Sequence, residues 1–109
     1  MTLADKSFLL TYPTGLRLIG RYTCDSVAWE ALTGPAAGTT GVERTYTHEV
    51  APGIYFVSWA EESGTTVSQV LDLNAKSVTG FLTFGGEKGR QTLFMQGSLT
   101  EVPPAAAGA

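Results

Sequence analysis

Gly53-Ile54-Tyr55-Phe56-Val57-Ser58-Trp59-Ala60-Glu61, followed by Glu62-Ser63-Gly64 and then Thr65 to Asp72, decides the fold. Read with a period of two, the stretch puts Tyr55, Val57, Trp59 and Glu61 on one face of a strand, so that an apolar, aromatic row ends in a carboxylate. Such a row suggests a ligand site without saying which ligand. The other face carries Ile54, Phe56, Ser58 and Ala60, too apolar for a surface left in water.

Outward from this strand, turn signals recur at short intervals: Pro13-Thr14-Gly15, Asp25-Ser26, Gly34 to Gly41, Ala51-Pro52-Gly53, Glu62-Ser63-Gly64, Asn74-Ala75-Lys76 and Gly85 to Gly89. They leave segments rich in β-branched and aromatic residues at about Ser7–Tyr12, Leu16–Cys24, Ser26–Leu32, Val42–Val50, Ile54–Glu61, Thr65–Asp72, Ser77–Phe84 and Gln91–Val102. No segment has a convincing helical period, although Val27 to Leu32 fits a short helical turn before Gly34-Pro35. The expectation is an all-β chain whose eight strands form an antiparallel up-and-down barrel, since closure removes exposed sheet edges. A two-sheet sandwich ranks second, because its crossovers need longer loops than these. A barrel of this size holds one small ligand or packed side chains.

The chain has 109 residues, enough for one domain over 1–102, with a frayed tail expected at 103–109. Hydrophobic residues make up 43% and charged ones 16%, and no apolar run is long enough to span a membrane. Met1 to Lys6 lacks the basic and apolar regions of a signal peptide, so a cytoplasmic protein is expected. One cysteine, Cys24, and one histidine, His48, exclude an internal disulfide and supply too few ligands for structural zinc. A net charge of −3 with scattered Lys and Arg argues against nucleic acid as a partner.

The pattern G-x-Y-x-V-S-W-x-E-x-x-G-T-x-V-S-x-x-x-D over Gly53–Asp72, with Tyr12-x-x-Gly15 near the start, resembles the MoaF-like proteins and the related phenolic acid decarboxylases. The resemblance runs from about Phe8 to Leu99 and implies a lipocalin-like (calycin) barrel. It also implies cofactor-free chemistry at the barrel mouth, done in the decarboxylases by a tyrosine pair, an arginine and a glutamate. Glu61 matches that glutamate and Tyr12 the second tyrosine. The first tyrosine is replaced by Leu10, and the arginine's position falls near Gly38.

The candidate site residues each have a plainer alternative. Glu61, beside Trp59 and Tyr55, suits a general acid or base, or is a solvated strand end like Glu62. Tyr12 either orients a substrate through its hydroxyl or packs at the mouth. In Val42–Val50 the even positions Arg44, Tyr46 and His48 share the more apolar face; turned inward they would line the cavity, whereas a rim arginine and a structural histidine are the alternative. Trp29 and Trp59 are ligand walls or simply core. The reading is a small enzyme of lyase, isomerase or cyclase type, acting without a cofactor on an apolar or aromatic metabolite, with a place in secondary metabolism. A non-catalytic carrier is the alternative. The apolar face of the signature strand, extended by Leu82 and Phe84, predicts a homodimer.

Overall fold

The computed structural model describes residues 3–103. Among them the chain runs through nine strands: β1 (Lys6–Thr11), β2 (Arg17–Tyr22), β3 (Ser26–Ala31), β4 (Thr40–Arg44), β5 (Tyr46–Ala51), β6 (Ile54–Ala60), β7 (Thr66–Asp72), β8 (Ser77–Gly86) and β9 (Gly89–Val102). All ladders are antiparallel, and the sheet order is β4-β3-β2-β1-β9-β8-β7-β6-β5. Consecutive strands pair with each other, as short turns dictate, except β4 and β5 at the two edges of the sheet, and β9 also crosses back to pair with β1. The expected tail lies outside the described residues from position 104 onward.

The count differs from the expected eight because the segment Val42–Val50 is not one strand. It breaks at Thr45, a buried residue whose N–H donates to the Asp25 carbonyl at 2.8 Å instead of to a ladder. Before the break, β4 pairs with β3; after it, β5 pairs with β6. The bent segment thus passes from one edge of the sheet to the other and brings β4 beside β6, which makes the barrel nearly closed. The helical turn considered for Val27 to Leu32 is strand β3 instead, locked by the Trp29↔Gly41 and Gly20↔Trp29 pairings on its two sides. No helix of the structure is long and apolar enough to cross a membrane among the described residues.

Inward side chains fill one end of the barrel. Leu3, Phe8, Tyr55, Leu71, Val78 and Leu99 are all buried there in a continuous core. The end carrying the 13–15, 32–39 and 61–65 turns is different, because Gly20 and Gly80 stand at inward positions where larger side chains would meet.

Candidate functional site

At this open end the barrel encloses a cavity of about 290 Å³ with almost wholly apolar walls. Leu10, Leu18, Val67, Leu82 and Met95 supply much of that wall, and Pro35 and Ala36 of the 32–39 loop lie over it. For scale, an apolar cavity of about 150 Å³ in a protein core takes up benzene.

Glu61 stands one residue past the end of β6, continuing the inward row of Val57 and Trp59 to the cavity wall. Its backbone is clasped by the turn that follows: its N–H donates to the Thr65 carbonyl at 2.7 Å and its carbonyl accepts from Gly64 at 2.9 Å. Gly64 has φ of 96°, a left-handed conformation that a side chain would strain, which is why this turn ends in glycine. The carboxylate is oriented by Trp59, whose indole Nε1 donates to Oε2 at 3.1 Å. No hydrogen bond to Oε1 from another described residue is seen.

Tyr12 follows β1 and is turned into the cavity, only 3% exposed. Burial pushes its phenol up to about 12, because the anion would lose its hydration, so at neutral pH the group is a hydrogen-bond donor and acceptor and not a base. Tyr22, on β2, is buried in the same wall and donates to Gln69 Oε1 at 2.8 Å. Burial first, and the neighbouring Tyr12 second, raise its phenol further still, with the Gln69 bond opposing them.

Trp29 forms the wall across from the β8–β9 side. Its ring lies on Gly41, directly opposite in the β3–β4 ladder, where a Cβ would come within 2.6 Å of the indole. Its Nε1 donates to Glu43 Oε2 at 3.1 Å.

The structure therefore brings together Tyr12, Trp29, Trp59 and Glu61 of the expected set. It does not bring in Arg44, Tyr46, His48 or Tyr55. The even face of Val42–Val50 points outward, a reversal of the expected orientation: Val42 is 75% and Tyr46 66% exposed, and Arg44 sits over the Tyr46 ring, 5.8 Å from its centroid, on the outer surface. The cause is register. Directly opposed residues in an antiparallel ladder share a face, and Val27 and Thr47's partner Val57 are inward, so Glu43 and Thr47 must be inward and their neighbours outward. Tyr55 is inward but lies four residues below Trp59, in the filled end of the barrel, so it is core and not cavity wall.

Sequence reasoning missed Gln69, Tyr22, Gly41 and Glu43. Gln69 carried a signal, since it interrupts the apolar inward row of Val67 and Leu71. Glu43 was legible only once the inward face was known. No group of three or more His, Cys, Asp or Glu placed to hold a metal ion occurs among the described residues.

The model of a family described as MoaF-like matches residues 4–100. The chain belongs to the MoaF-like family. The family's span takes in every strand but the last residues of β9, and so the whole cavity. Among solved structures, one described as a "putative beta-lactamase from Burkholderia vietnamiensis" is 27% identical, with 94% of this chain and 97% of that one covered and a TM-score of 0.83. No curated protein matches the chain.

Proposed function

We propose that this member of the MoaF-like family binds a small apolar or aromatic molecule inside the barrel and acts on it without a cofactor, by proton transfer at Glu61. The observation that carries the reading is the cavity of about 290 Å³ whose greasy wall ends in a carboxylate with one oxygen held by Trp59. Its size is at the lower end of small-molecule sites, which fits a compact one- or two-ring guest. Glu61 would take or return a proton, and Tyr12, neutral throughout, would hold a guest oxygen or nitrogen by hydrogen bond. Isomerisation, cyclisation or elimination needs no more than such a pair acting on a guest shielded from water.

Decarboxylation of a phenolic acid is not supported. Leu10 occupies the wall where the resemblance places a tyrosine, and Arg44 lies outside the barrel, so nothing grips a carboxylate. The neighbour's printed activity gains no support either, since among the described residues the cavity lining contains no serine and no lysine to form and activate an acyl-enzyme nucleophile.

A carrier without chemistry is the second reading, favoured by the way wall polar groups satisfy one another in the Tyr22–Gln69 and Trp59–Glu61 pairs. The test separates the two. Small aromatic compounds are titrated against tryptophan fluorescence, and each bound compound is followed for conversion in wild type and Glu61→Gln. The enzyme reading expects binding in both proteins and turnover at least about a hundredfold lower in the variant. Equal turnover refutes the role of Glu61, and binding with no conversion of any bound compound establishes the carrier.

A further inference from the structure

We infer that the cavity selects an organic cation, an ammonium group carrying an apolar body, over neutral and acidic molecules of the same shape. The inference rests on the binding reading above and specifies its ligand class. Three observations carry it.

The first is charge. Among the described residues, Glu61 is the only formally charged side chain that lines the cavity, and the lining contains no Lys, Arg or His. Arg90 donates through its Nη2 to the Gly64 carbonyl at 3.0 Å and the Thr83 hydroxyl at 2.6 Å, on the side of β8 opposite Leu82. A carboxylate or phosphate entering this space would lose its water and gain no counter-charge from the lining. A cation would gain one.

The second is the walls. Trp29 and Trp59 both face the cavity, and the ring faces of indoles attract cations more strongly than those of other aromatic side chains. The third is how those indoles are held. Each donates its Nε1–H to a glutamate, Trp59 to Glu61 and Trp29 to Glu43, at 3.1 Å in both cases. Donation to an anion pushes electron density back into the ring, which strengthens its negative face. It also fixes ring orientation, with Trp29 pinned between Glu43 and the bare backbone of Gly41. Glu43 is thus a positioning residue: it touches Trp29, not the ligand.

The experiment compares three probes on the intact protein by tryptophan fluorescence or NMR titration: phenyltrimethylammonium, its uncharged carbon isostere tert-butylbenzene, and benzoate. Wild type is expected to bind the ammonium at least about tenfold more tightly than the isostere, with benzoate weakest. Glu61→Gln should remove most of that preference while keeping the affinity for the isostere, and Glu43→Gln should reduce it by a smaller factor. Binding of the isostere as tight as that of the ammonium, benzoate binding at comparable strength, or a preference unchanged in Glu61→Gln overturns the inference. In each of those results a probe still binds, so the cavity reading stands; binding of none of the three removes both.

Discussion

Glu61 and Tyr12 show how two residues matched by one motif are set to different tasks by their surroundings. Glu61 sits half-buried at the end of an inward row, whereas Tyr12 is sealed among apolar side chains with its phenol pushed up to about 12. The folded pKa lies above the unfolded value of 10, so Tyr12 contributes no pH dependence below about pH 10, and its stabilisation is lost as pH rises from about 10 through about 12. Tyr22 adds to the same alkaline loss, as its shift has the same sign. Stability measured by denaturant titration is therefore expected to be flat from pH 7 to about 9.5 and to fall by a few kcal/mol above it, roughly 1.4 kcal/mol per pH unit for each group. In tyrosinate absorbance, Tyr12 and Tyr22 should ionise only well above the usual tyrosine range. Ordinary ionisation of those two in the folded protein would contradict this placement. Glu61 was legible in the sequence because period-two alternation and the motif agreed on it. Gln69 and Glu43 were not, because a polar residue on a strand declares its face only through its ladder partners.

At the level of elements, the instructive error lies in Val42–Val50. Apolarity alone made Val42, Arg44, Tyr46 and His48 look inward, yet the β3 and β6 ladders turn them to the surface and use Gly41, Glu43, Thr45 and Thr47 inside. A small, polar inner row is what the site requires there, since Trp29 needs the space over Gly41 and an acceptor for its N–H. The break at Thr45 also has no clear mark in the sequence, because each half is good strand by composition and the kink is imposed by barrel closure. The boundaries of the other segments were readable from their Gly, Pro and Asn turns. Gly41→Ala tests this arrangement: the new Cβ collides with the indole, so Trp29 must tilt off Glu43 and into the cavity. The variant is expected to lose about 1–3 kcal/mol, to shift its tryptophan emission and to bind cavity ligands more weakly. Wild-type emission and affinity in Gly41→Ala would show that Trp29 is not pinned there.

For the molecule as a whole, all-β class, up-and-down order and barrel closure followed from turn spacing and edge avoidance, and the lipocalin-like architecture from the family resemblance, whereas the division of the interior into a filled end and an open end did not. That division depends on which glycines, such as Gly20 and Gly80, fall at inward positions near the cavity, which needs the register. Leu82 and Phe84, expected to extend the outer apolar face of β6, do not, because strand alternation turns Leu82 into the cavity wall and Phe84 to the same side of β8. The outer surface of β6 to β9 carries Phe56, Val70, Phe81 and Phe94, the last 63% exposed. Between them Ser58 and Ser68 bond to each other at 2.9 Å, and Ser58 also donates to the Val67 carbonyl, so drying this face leaves few polar groups unpaired. Such an exposed apolar face is the kind of surface that a partner covers. We propose that a second copy covers it. Sedimentation should then show a dimer at micromolar concentration that Phe94→Ser together with Phe81→Ser dissociates, and a wild-type monomer under those conditions would remove the proposal.

Everything functional depends on the open end of the barrel being hollow. Xenon pressurised into crystals of the protein reports on this directly, because the gas occupies apolar voids and is seen as isolated density. The account predicts a strong xenon site within van der Waals reach of Trp29, Trp59, Leu10 and Met95. An interior filled by those side chains, with no xenon between them, would contradict it.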